Sequence, residues 1–191
     1  MTKKLDGINV HNAHIAVAGF RNVKIADTNG FLDHVRREAK EAHVQFFNAK
    51  LIAGQQHLYF AALNALKAFE NKSNISSSLA IEALLYASAQ RQIRKALDTL
   101  GLKQDSSQVA VLIMAEKKQE IHDCLKVVSK LIPGERNDAV LELTDEKSGG
   151  IKELFGISEL EIGAKLGRKG LEREALVDLV VEHVALLATQ S

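Results

Sequence analysis

The stretch that most constrains this chain is QVAVLIMA, Gln108 to Ala115, where seven consecutive apolar residues lie between Gln108 and Glu116. The run is far shorter than the ~20 residues of a membrane span. Short, unbroken and partly β-branched, it reads as a strand buried on both faces. Such a strand needs apolar layers above and below its sheet. The composition can supply them: 46% of 191 residues are apolar, enough for the core of one domain. Aromatics are only 5% and Trp is absent, so that core is aliphatic.

The rest of the chain alternates strand-like and helix-like segments. Ile8 to Phe20 is rich in alternating and β-branched residues and is expected to be a strand. Asn29-Gly30 breaks the pattern, and a helix follows from Phe31 with Val35 and Ala39 on one side. HVQFFNA is a short strand. Gly54 precedes a long helix over 55–71 with Leu58, Ala62, Ala65, Leu66 and Phe69 in register. NKSNISSS supplies serines for the next helix cap. After the buried strand, EKKQEIHDCLKVVSKLI is an amphipathic helix ending at Pro133, the chain's single proline. DAVLEL, from Asp138, is expected to be a short edge strand. A short helix to Phe155, the segment GAKLGRKG and a last helix over 171–188 complete the chain. The expected fold class is α/β: a single domain over 1–191 in which a mixed β-sheet is packed with several α-helices, the last helix among them.

Net charge is +1, so bulk charge carries no nucleic-acid signal, and any such role needs a local basic patch. The single cysteine, Cys124, fits a reducing compartment and a packing role. MTKKLDGINV is basic without a following apolar segment, so no signal peptide is expected, and no membrane span either. The expected location is the cytoplasm. Phosphate-loop, dinucleotide, zincin and hydrolase-elbow patterns are all missing. The histidines at 11, 14, 34, 43, 57, 122 and 183 are scattered, and each reads as a surface or partly buried residue. No catalytic residue, metal ligand or cofactor site is assigned. An enzyme whose site is assembled only in space stays open, as does a stand-alone RNA-binding module.

EALLYASAQRQIRKALDTLG, Glu82 to Gly101, reads as one helix with a basic middle. On a helical wheel Leu85, Ala89, Gln92, Ile93, Ala96, Leu97 and Leu100 share one broad face. Leu84, Ser88, Arg91, Lys95 and Asp98 lie on another, with Arg94 close by. Gly101 is a natural end, with Leu102 folding back as in a Schellman motif. Arg91 and Lys95, one turn apart, repel slightly. The pattern fits an ordinary solvated face, or a surface for an anion carrying a flat group. Glu82 sits near the core face and either pairs with a basic side chain or frays into solvent.

SSSLAIEALLYASAQRQIRKALDTLGL followed by SSQVAVLIM resembles the archaeal-type kinase-binding regulatory subunit of the KEOPS complex, a family that includes the eukaryotic PRPK-binding protein. GQQHLYFAALNALKAF upstream and LVVEHVALLA near the end are similar to that family too, and the order of elements agrees over nearly the whole chain. His183 departs from it, standing in the last helix where the family favours arginine. The resemblance implies a non-catalytic subunit of the complex that makes threonylcarbamoyladenosine in tRNA. It implies direct binding to the N-lobe of a small atypical kinase/ATPase, indirect contact with other KEOPS subunits, and help in recruiting tRNA through its 3′ CCA end.

The chemistry of a single-stranded end then suggests roles. Arg91 can fork onto phosphate or stack on a base, Gln92 can read a base edge, and Ile93 would hold the helix from inside. Arg94 and Lys95 extend that candidate. Lys165, Arg168 and Lys169 form a second basic candidate, equally readable as a solvated turn. The last helix is apolar around nearly its whole circumference, which means burial in its own fold or contact with a partner. Leu176, Leu179, Val180, His183, Val184 and Leu187 are the kinase-interface candidates on that helix.

Overall fold

The computed structural model describes residues 13–39, 41–166 and 170–189. Strand β1 (His14–Arg21) pairs antiparallel with β3 (Val109–Ala115), which pairs antiparallel with β2 (His43–Asn48). A two-residue strand β4 (Glu135–Arg136) adds to the other edge of β1, giving the order β2-β3-β1-β4. β3 is central, and all seven of its residues are buried. Val109, Val111 and Ile113 pack with Val35 of helix α1 (Thr28–Glu38) and with Cys124 and Val128 of α5 (Lys118–Leu131). Ala110, Leu112 and Met114 pack in the core formed with α2 (Gln55–Glu70) and α3 (Leu79–Ser88). The unbroken apolar run follows from this alternation, since each face of the strand meets a helical layer. The α/β layering expected from the sequence is present, with antiparallel pairing throughout the described sheet.

Residues 8–12 of the expected first strand lie outside the described residues. Helix α1 begins before Phe31, at Thr28, because the Asp27 carboxylate accepts from the Gly30 amide at 3.0 Å and caps the end. Asn29-Gly30 therefore sits inside the first turn. DAVLEL is not a strand: Asp138–Leu141 forms a 3-10 turn, and the sheet edge falls three residues earlier at β4. Gly19 explains the close approach of that turn, because a Cβ there would stand 2.5 Å from the Asn137 carbonyl oxygen.

Helices α6 (Asp145–Phe155) and α7 (Glu159–Lys165) build a third apolar cluster against α8 (Glu172–Leu186). α8 is buried on two sides, while Glu174, Asp178 and Glu182 form an exposed polar stripe along it. Leu176, Leu179 and Val180 pack in the α6–α7 cluster, while Val184 and Leu187 enter the core beneath α2 and α3. No helix among the described residues is long and apolar enough to cross a membrane.

Candidate functional site

The segment Glu82–Gly101 is two helices, not one. α3 stops at Ser88, and α4 (Ile93–Leu100) starts after a four-residue break. Ala89 adopts the left-handed conformation at φ 50°. The Ala89 amide donates to the Tyr86 carbonyl and the Gln90 amide to the Leu85 carbonyl, each at 3.0 Å. That pair of bonds is the Schellman arrangement expected at Gly101, displaced by twelve residues and carried by an alanine. Gly101 itself is extended, with φ −62° and ψ 157°.

The break rearranges the predicted faces. Leu84 and Ser88 do not flank the arginine at the surface; both are buried in α3. Ile93 and Leu97, expected to point inward, are exposed at 41% and 43%, while Ala96 and Leu100 alone anchor α4. Arg91, Gln92, Ile93, Arg94 and Lys95 form a run of five exposed residues. The Gln92 side chain makes no capping bond, and the first turn of α4 has no acidic residue. The positive end of the helix thus coincides with Arg94 and Lys95, an arrangement that attracts anions.

Two buried groups hold this corner in place. The Glu82 carboxylate, fully buried, accepts from the Ile75 amide at 3.0 Å and the Ser76 amide at 2.7 Å. Among the described residues it forms no ion pair, and it does not fray; it ties the loop before α3 to the helix. Burial raises the pKa of the neighbouring Tyr86 hydroxyl, the charge of Glu82 raises it further, and that of Arg91 opposes them. His57 is also fully buried, contrary to the surface or partly buried reading of the histidines. It bridges Ala53 and the end of α3. Nothing in the sequence around either residue marked it, since isolated Glu and His in apolar helices look alike whether buried or not.

The last helix offers a narrower outer surface than its sequence suggested. Leu176, Leu179, Val180, Val184 and Leu187 are all buried by the protein's own elements. His183 is half-buried, its ring 6.0 Å from that of Phe155. Leu186, exposed at 52%, is the large apolar side chain that α8 presents outward. Lys165 is not a free cation, because its ammonium pairs with Glu182 of α8. Arg168 and Lys169 lie outside the described residues. Cys124 is buried, which pushes its thiol up to about 11. Among the described residues no three His, Cys, Asp or Glu side chains converge as a metal site.

Residues 20–188 match the family described as "Kinase binding protein CGI-121". The chain is also 30% identical over 138 residues to "Regulatory protein Cgi121" of Methanocaldococcus jannaschii, an alignment covering 72% of this chain and 85% of that protein.

Proposed function

The chain belongs to the CGI-121 family of kinase-binding proteins, a family with a regulatory role, and from that membership we propose that it is a non-catalytic subunit of the KEOPS complex. In that reading it binds and supports the small atypical kinase/ATPase and, through it, stands beside the other subunits. The complex makes threonylcarbamoyladenosine in tRNA, and this subunit helps recruit the tRNA by its 3′ CCA end.

The observation that carries the RNA part is the exposed corner Arg91–Lys95 at an uncapped helix start. Arg91, Arg94 and Lys95 meet phosphate, Gln92 meets a base edge, and Ile93, outward rather than inward, offers an apolar rest for an unstacked base. Lys165 contributes less than expected, since phosphate must displace Glu182 to reach it. Kinase contact is assigned to the outer side of α8 around His183 and Leu186. Leu176, Leu179, Val180, Val184 and Leu187 shape that surface from beneath.

Reconstitution tests the reading. The purified chain should co-elute with the small kinase and raise its ATP hydrolysis, while alone it hydrolyses no ATP and modifies no tRNA. Turnover that stays with the chain through purification to homogeneity, and is abolished by one substitution in it, would remove the subunit reading.

A further inference from the structure

Lys147, in the first turn of α6, is 8% exposed. Its ammonium donates to the Val140 carbonyl at 2.5 Å and reaches the Ile52 carbonyl at 3.5 Å. An ammonium has three donors, and two of them have acceptors among the described residues. No carboxylate among the described residues forms an ion pair with it; Glu142 attracts it only from a distance. Burial without a counter-ion disfavours the charged form, and it holds the Lys147 pKa down at about 8. Buried charges in proteins are ordinarily paired. Among the described residues Lys147 is held by two carbonyls and by no paired carboxylate.

Lys147 lines a cavity of about 540 Å³, in the size range of small-molecule sites. Arg21 of β1, Lys50 of the 3-10 turn Ala49–Leu51, Gln108, Asn137 and Thr144 line it too. Lys50 has no ion-pair partner among the described residues. Arg21 is shared with Glu135, at 2.9 Å. The acidic groups nearby are accounted for. Asp138 is held by the Arg136 guanidinium and the Gly19 amide. Glu146 stands exposed at the rim, where water screens it. Thr144 precedes α6 without a side-chain capping bond, so the helix end beside the cavity is also open.

We propose that this cavity binds a small phosphate-bearing molecule, with Lys147 at its floor and Lys50 and Arg21 at its mouth holding the phosphoryl oxygens. The ligand supplies the countercharge that the fold withholds from Lys147. Asn137, Gln108 and Thr144 then meet the polar atoms of its body. The site is separate from the Arg91 corner and does not rest on the kinase or tRNA reading.

Calorimetric titration of the full chain with pyrophosphate tests this, with ionic strength matched by sodium chloride and citrate as the carboxylate control. Wild type should bind saturably. Lys50→Ala and Lys147→Met should each weaken binding by roughly tenfold or more, as expected when a charge-assisted hydrogen bond is removed. Lys130→Ala, an exposed lysine of α5 outside the cavity lining, should leave it unchanged, and citrate should bind more weakly. Should Lys147→Met fail to fold, the exposed Lys50→Ala and Arg21→Gln decide alone. Absence of saturable binding to wild type, equal affinity in the lysine variants, or citrate binding as tightly as pyrophosphate overturns the proposal.

Discussion

His57 Nε2 donates to the carbonyl oxygen of Ala87 at 2.7 Å, across the packed faces of α2 and α3. Its Nδ1 accepts from the Ala53 amide at 3.2 Å, which fixes the neutral ring with its proton on Nε2. Ala87 stands two residues before the left-handed Ala89. The bond therefore pins the point where α3 ends and the exposed basic corner begins.

Burial pushes the His57 pKa from 6.5 down to about 4. Between those values the unfolded chain binds a proton that the folded chain does not. Stability should thus rise with pH across that window and fall as pH drops from 6.5 toward 4, by up to about 1.4 kcal/mol per pH unit. Urea unfolding of wild type and His57→Gln at several pH values checks this. The variant should lose less stability than wild type across the window, and parallel losses would show that His57 is not the titrating group.

Glu82 is the second internal tie. Glu82→Ala removes the acceptor of the Ile75 amide and of the buried Ser76 amide and should destabilise by about 1–3 kcal/mol. Hydrogen exchange at those two amides should quicken more than at the Ala89 and Gln90 amides. Uniform quickening would mean that Glu82 supports the whole helix rather than the loop.

Ala89 holds a conformation that disfavours an L side chain by roughly 1–2 kcal/mol. Ala89→Gly should leave the fold as stable or up to about 1 kcal/mol more stable, because glycine suits the left-handed helix end. Ala89→Val should destabilise. A stabilising valine would show that the break is not set by backbone strain.

The kinase-facing assignment separates outer from inner positions on α8. Leu186→Glu should weaken capture of the small kinase while circular dichroism stays unchanged. Val184→Glu places a charge in the core and should unfold the protein. Undiminished capture by folded Leu186→Glu would move the interface off this helix.

The central layers were legible in the sequence because their signal is periodic. β3 shows as an unbroken apolar run, α2 as a helical stripe, and both settle inside the described core. The α3–α4 break was hidden, since AQRQ has no glycine or proline and its residues are compatible with a continuing helix. Only tertiary packing of Ala96 and Leu100 fixes where α4 restarts, and so turns Ile93 outward. The sheet edge moved from DAVLEL to β4 because Gly19 lets the 3-10 turn press onto β1. α8 was read as apolar around its circumference, but Glu174, Asp178 and Glu182 line an exposed side, and sequence could not distinguish two of the protein's own layers from a partner. Glu82, His57 and Lys147 were invisible because burial of a lone polar residue depends on which segments fold over it. Exposure of Arg91 and Lys95 was expected, whereas that of Ile93 was not.

The most direct measurement is a binding titration of intact and CCA-trimmed tRNA with wild type and Arg91→Ala at two salt concentrations. Arg91 is exposed, so its removal should change stability by less than about 0.5 kcal/mol. The variant should bind intact tRNA more weakly, and its slope of log affinity against log salt should shrink by roughly 0.7 for each phosphate that Arg91 neutralises. Trimming the CCA end should weaken wild type to a similar degree, and the two effects should not add, since both delete the same interaction. Arg91→Ala binding intact tRNA as tightly as wild type, with an unchanged salt slope, would contradict the assignment of this corner to the tRNA 3′ end.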